Sequence, residues 1–191
     1  MTPDPTLNLP DRETLPDALR ILLADYPRDT WEAHPHFAGL VEFWLDRHLM
    51  FRKLLGLLNT ETQSLLDGAD PARFGTALPR YGGMLLQQLH GHHQIEDQHY
   101  FPILQQKAPG IARGFELMEA DHVQLDPALA AFADTANAAL SKIAEGGNAK
   151  DSVAPFAASL ESLGKLLDRH LTDEEELVVP VVLKLGPDTI G

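Results

Sequence analysis

Four histidines lie within four separate runs of apolar residues, and two of these runs also contain a glutamate. The residues are His48, His92, His122, His170, Glu96 and Glu174. Apolar residues at alternating spacings of three and four are typical of the buried face of a helix. A polar or charged side chain on such a face is costly unless it is paired or bound to a metal. We therefore predict that these side chains hold metal ions between four helices.

The spacing within two of the runs favours shared coordination. Glu96 follows His92 by four residues, and Glu174 follows His170 in the same way. Residues four apart on a helix lie one above the other, so an imidazole and a carboxylate can reach one metal cluster. The alternative is a solvated acidic helix end at residues 172–176. We disfavour it because Glu174 lies on an unbroken apolar face.

The sequence also contains a repeat. Residues 92–102 align without gaps with residues 170–180, and both segments fit the pattern H-x-x-x-E-[DE]-x-x-x-x-P. The single histidines His48 and His122 repeat at a similar separation, so the chain resembles a duplicated helix pair. Duplication around a helical core suits a near-symmetric site for two metal ions.

The apolar pattern predicts an all-α fold, an up-down-up-down four-helix bundle over residues 36–186. A proline-rich N-terminal extension over residues 1–35 precedes it. We predict a polar loop at 59–70 and short breaks at 107–110 and 145–151. Short connections place consecutive helices antiparallel to one another.

Composition excludes several classes of function. The sequence contains no cysteine, which excludes thiolate metal sites, cysteine nucleophiles and disulfides. The 15 lysines and arginines are scattered and the formal net charge is −13, so neither nucleic acid nor an anionic membrane surface is an expected partner. No apolar run has the length of a membrane span and no secretory signal is evident. We predict a cytoplasmic protein.

The order H…HxxxE…H…HxxxE resembles that of the hemerythrin-like, cation-binding HHE proteins, over about residues 37–184. The resemblance implies a non-haem di-iron site in a four-helix bundle. It further implies that the four histidines are nitrogen ligands and that Glu96 and Glu174 are carboxylate ligands that bridge two iron ions. Zinc or manganese remains an alternative, since imidazole and carboxylate also suit these metals.

The sequence departs at one position from the pattern of oxygen-carrying hemerythrins. Those proteins have a second histidine one helical turn before the histidine that corresponds to His122. This chain has Met118 there. Either His93 or Asp126 replaces the missing ligand, or one metal has an open position. We include His93 among the predicted ligands, although it lies about 100° around the helix from its neighbour His92. His99 lies on the predicted apolar face and is interpreted as a core residue or as a residue that supports a metal ligand, rather than as a ligand itself.

The resulting functional hypothesis is a metal-binding protein that binds or senses oxygen, nitric oxide or a peroxide at a di-iron centre. One alternative is an enzyme of the di-iron oxidase or peroxidase type. A second is iron handling or repair of iron centres, although relatives with that role often carry an additional cysteine-bearing segment. A third is a bundle in which zinc has a structural role only. The sequence assigns no catalytic residue and identifies no protein partner.

Overall fold

The computed structural model describes residues 7–186, and within this range it contains helices and turns but no strand. The predicted all-α class is confirmed. No described helix is long and apolar enough to cross a membrane. The α-helices are α1 (Leu40–Leu66), α2 (Pro71–Ile95), α3 (Phe101–Lys107), α4 (Ala112–Ala144) and α5 (Ala149–Leu185).

Helix α1 is longer than predicted. It continues to Leu66, so the predicted loop over residues 59–70 is wrong for residues 59–66, and only residues 67–70 separate α1 from α2. The hydroxyls of Thr60, Thr62 and Ser64 each donate a hydrogen bond to the carbonyl four residues earlier. These polar side chains are therefore satisfied within the helix, and Leu65 extends its buried face.

The following helices begin where local chemistry favours a start. The Asp70 carboxylate accepts a hydrogen bond from the backbone N–H of Ala72 at 2.9 Å, and Pro71 occupies the first position of α2. The Asn148 side chain caps α5 in the same way, through the N–H of Lys150 at 3.0 Å. Gly146, with φ of 79°, follows the end of α4.

The described chain divides into two compact units, and each of the four long helices contributes to both. Unit 1 contains residues 7–49, 92–123 and 168–186. Its core includes aromatic side chains from several elements, among them Trp44, Phe101 and Phe115. Leu15 and Trp31, from the N-terminal segment (residues 7–35), are almost fully buried in the same core.

Unit 2 contains residues 50–91 and 124–167. Its core includes Phe74, Phe132 and Phe156, whose rings meet edge to face or at a tilt, with centroids 5.3–6.0 Å apart. Gly82 lies against the Phe132 ring, where an added Cβ would be 3.4 Å from Cζ. A Cβ at this distance would be in ordinary van der Waals contact, so the helices α2 and α4 pack closely at this position.

A π-helical turn, Glu96–Tyr100, joins α2 directly to α3. Such a turn accommodates one extra residue, and π turns are frequent at functional sites. The residues that are buried after Glu96 are therefore Phe101 and Leu104, whereas His99 is exposed. The interpretation of His99 as a core residue is wrong, because it assumed an uninterrupted α-helical period through this turn.

Candidate metal centre

Unit 1 brings the predicted ligands together in two groups of buried side chains, in each of which one potential ligand atom per residue lies within 4.8 Å of the others. The three-histidine group contains His93, His122 and His170. The mixed group contains His48, His92, Glu96 and Glu174. The contributing residues come from α1, α2, the π turn, α4 and α5.

Glu96 belongs to the mixed group and also faces the three-histidine group. Its Oε1 is 2.9 Å from Nε2 of His92 in the mixed group, and its Oε2 is 3.6 Å from Nε2 of His122 in the three-histidine group. One carboxylate thus presents an oxygen to each group. This is the arrangement that a bridging ligand between two metal ions requires.

Glu174 occupies the matching position on α5. Its Oε2 is 3.6 Å from Nε2 of His48 and 3.6 Å from Nε2 of His170, one histidine from each group. Its Oε1 accepts a hydrogen bond of 2.5 Å from the indole N–H of Trp44. The indole therefore fixes one oxygen and leaves the other directed between the groups.

Several inward-facing atoms are buried without a hydrogen bond of acceptable geometry, although Oε1 of Glu96 lies close to a histidine nitrogen. They are Nε2 of His93, Nε2 of His122, Nε2 of His170, both side-chain oxygens of Glu96 and Oε2 of Glu174. A buried, unsatisfied polar atom costs about 1–3 kcal/mol. Metal coordination would satisfy all of these atoms at once, and imidazole nitrogen with carboxylate oxygen suits iron, zinc and manganese. The residues present therefore fit a metal centre.

The electrostatics of the site favour the same interpretation. Burial lowers the pKa of His92 to about 3, with further contributions from the charges of His122 and Arg47. Burial also holds the pKa of His93 and His170 well below the ordinary value, so these rings are neutral, the form that coordinates a metal. In contrast, burial raises the pKa of both glutamates well above the ordinary value. A bound metal would replace the protons on these carboxyl groups.

Carboxylates also contact the outer ring nitrogens. Nδ1 of His122 lies 2.8 Å from Oδ1 of Asp97, and Nδ1 of His48 lies 3.0 Å from Oε1 of Glu175. A carboxylate at Nδ1 orients the ring and leaves Nε2 for the metal. Asp97 and Glu175 are the acidic residues that follow the glutamate in each copy of the sequence repeat, so the repeat contained the signal for their role.

Sequence reasoning missed a third carboxylate. Asp121 is fully buried, and its Oδ2 lies 3.4 Å from Nδ1 of His170. Arg12 donates two hydrogen bonds to this carboxylate and a third, of 2.7 Å, to Asp173. Asp121 directly precedes His122 in the sequence, but nothing in the pattern connects it with His170 on another helix.

The residues considered in place of the ligand missing at Met118 have different surroundings. Met118 is fully buried in the core of unit 1. The His93 ring stacks on that of His122, with centroids 3.9 Å apart and planes 11° apart, and its centroid is 5.3 Å from that of His170. Asp126 is exposed. His93 thus lies with the histidines of α4 and α5.

Comparison with known proteins gives a family. Searches among curated proteins and among solved structures returned no match. The model of the Hemerythrin HHE cation binding domain matches residues 39–184. The matched range covers most of the chain and includes every residue of both groups. The chain therefore belongs to the hemerythrin HHE cation-binding domain family.

Proposed function

We propose that this protein holds two iron ions, one at each group, and uses them to bind or sense oxygen, nitric oxide or a peroxide. The observation that carries the proposal is the set of unsatisfied nitrogen and oxygen atoms that face one another in the interior of unit 1. Membership in a cation-binding family supports the metal. Two bound iron ions would supply redox chemistry and an exchangeable coordination position.

The donor set supports an exchangeable position. The three-histidine group offers three nitrogens and the mixed group offers two, and both glutamates face both groups. With one oxygen from each glutamate, an ion would have five protein donors at the first group and four at the second. An octahedral ion would then keep at least one position for an exogenous ligand.

Metal content and ligand binding test the proposal together. Protein expressed with adequate iron is expected to contain about two iron ions per chain, as in other two-metal sites. Azide added to the oxidised protein should bind at the exchangeable position and produce a new visible absorption band. One tightly held ion, or no spectral response in a fully loaded sample, would count against the proposal. Oxygen consumption with an electron donor would instead favour the oxidase.

His93 gives a sharper test of the three-histidine group. The variant His93→Ala removes one of its three nitrogens and is expected to lower the iron content from about two ions to about one per chain. His90→Ala is the matched control, since His90 is exposed on the same helix. It should retain both ions. If His93→Ala keeps two ions and an unchanged spectrum, His93 is not a ligand.

A further inference from the structure

The N-terminal segment contributes two arginines that contact carboxylates of the metal centre. In the Arg12 triad, Arg12 contacts Asp121, which contacts His170. In the Arg28 triad, Arg28 contacts Glu175, which contacts His48. In each triad the carboxylate reaches Nδ1 of the histidine, the nitrogen that faces away from the centre.

The Arg12 triad is buried throughout. The side chains of Arg12 and Asp121 are 1% and 0% exposed. Nη1 and Nη2 of Arg12 donate to the two oxygens of Asp121, so the guanidinium and the carboxylate pair in a bidentate arrangement. Such a pair fixes the plane of the carboxylate as well as its position. Asp121 therefore reaches His170 in one defined orientation.

The Arg28 triad has the same order of contacts but is more exposed. Nη1 of Arg28 donates to Oε2 of Glu175 at 2.7 Å, and Oε1 of Glu175 lies 3.0 Å from Nδ1 of His48. The Glu175 side chain is 4% exposed and that of Arg28 is 47% exposed. The guanidinium also lies over the Trp31 ring, 4.6 Å from its centroid. Solvent screens this contact more strongly than that of Arg12.

The two triads end at different groups, since His170 belongs to the three-histidine group and His48 to the mixed group. We propose that Arg12 and Arg28 are positioning residues, through which the N-terminal segment sets the metal affinity of the two positions separately. This inference rests on the proposed two-metal function. It assigns a role to a segment that lies outside the residues matched by the family model, which begin at residue 39.

The expected size of the effect follows from the order of contacts. Without Arg12, the Asp121 carboxylate loses its bidentate partner and can rotate away from His170, whose ring then loses its fixed orientation. Removal of a partner behind a metal-bound histidine typically lowers metal affinity by about 10–100-fold. We expect Arg12→Gln to fall in this range at the three-histidine group. Arg28→Gln should have a smaller effect, at the mixed group.

The test must distinguish the proposed role of Arg12 and Arg28 from a purely structural one, in which they only anchor the N-terminal segment. The N–H of Leu15 donates to Asp173 at 3.0 Å, and Arg169 donates to the carbonyl of Glu13. Arg20, in the same segment, pairs with Glu176 and Asp17. Among the described residues, neither of these carboxylates is paired with a histidine. Arg20→Gln is therefore the control for a general loosening of the segment.

The experiment compares the wild type with Arg12→Gln, Arg28→Gln and Arg20→Gln, all loaded with ⁵⁷Fe. Mössbauer spectra report the environment of each iron, and transfer to a chelator reports the release rate of each. The signal that survives in His93→Ala identifies the iron of the mixed group. We expect Arg12→Gln to change the other signal and to accelerate release of that iron by about 10–100-fold. Arg28→Gln should change the mixed-group signal, and Arg20→Gln neither.

Three outcomes would contradict the inference or the proposed function on which it rests. If both arginine variants keep wild-type signals and release rates, the inference is wrong. It is also wrong if all three variants, including Arg20→Gln, change both signals equally, because the segment then acts through packing alone. If the wild type does not take up two ions, the proposed function itself fails. Should Arg12→Gln not fold, as judged by thermal melting, Arg12→Lys keeps the charge without the bidentate contact and is expected to change the same signal.

Discussion

The variant Glu174→Gln is expected to lose at least one iron ion completely and to hold the second only weakly, with fewer than about one ion per chain after dialysis. Oε2 of Glu174 faces both His48 and His170 at 3.6 Å, so one substitution removes a negatively charged donor from both groups. A neutral amide is a much poorer ligand for a divalent or trivalent ion. Elemental analysis of the purified variant measures this loss.

Folding of the variant can be separated from its metal content. Burial already favours the neutral form of Glu174 in the absence of metal, because its pKa is raised well above the ordinary value. The neutral amide has nearly the same shape as this neutral carboxyl group. We therefore expect the apoprotein of Glu174→Gln to be at least as stable as the wild-type apoprotein. Glu176→Gln, at a partly exposed pair with Arg20, is the matched control and should retain two ions. Full occupancy in Glu174→Gln would exclude a bridging role.

Removal of the metal is expected to lower the melting temperature markedly. The apoprotein retains unsatisfied nitrogens and oxygens in its interior, whereas the loaded protein uses them as ligands. A ligand at about 1,000 times its dissociation constant stabilises the folded state by about 4 kcal/mol. For a chain of this size this corresponds to a shift of about 8–16 °C. Thermal melts before and after treatment with a chelator measure it, and equal melting temperatures would contradict the proposed centre.

The same comparison has a defined pH dependence. In the apoprotein the pKa of His92 is lowered from 6.5 to about 3, so the unfolded state binds more protons and stability is lost as the pH falls below 6.5. Glu96 and Glu174 act in the opposite direction, because their raised pKa values mean that the folded apoprotein holds these protons more tightly than the unfolded chain does. The stabilisation that results is present below pH 4.5 and is lost as the pH rises above it. Metal must displace these protons to bind. The difference in melting temperature between loaded protein and apoprotein should therefore narrow as the pH falls from neutral to about 4.5.

The sequence was sufficient to predict the all-α class and the residues that meet in the interior of unit 1. Both predictions depend on local spacing, since i to i+4 pairs such as His92 and Glu96 share one helix face regardless of the remaining fold. The polar residues near the end of α1 led to the wrong prediction of a loop there. Polar composition does not show that the Thr62 hydroxyl donates a hydrogen bond to a carbonyl of its own helix.

The contacts behind the histidines could not be predicted in this way. Arg12 and Asp121 are 109 residues apart in the sequence, and no periodicity connects a proline-rich segment with helix α4. A buried arginine also has no signal of its own, because arginine is common on surfaces. The pairing follows from packing of the N-terminal segment in unit 1, which no local sequence pattern encodes.

The π turn has a consequence for the ancestry of the two repeat copies. Residues 92–102 and 170–180 align without a gap, yet the first copy leaves the α-helical register after Glu96 while the second continues it after Glu174. Matching positions beyond the glutamates therefore do not all have the same surroundings, although Phe101 and Val179 are both buried. His99 is exposed, whereas its counterpart Leu177 is buried. If the two copies descend from one ancestral helix pair, they have come to differ in a π turn that a gap-free sequence alignment does not show. An ancestral sequence inferred from that alignment would treat the exposed His99 and the buried Leu177 as equivalent positions.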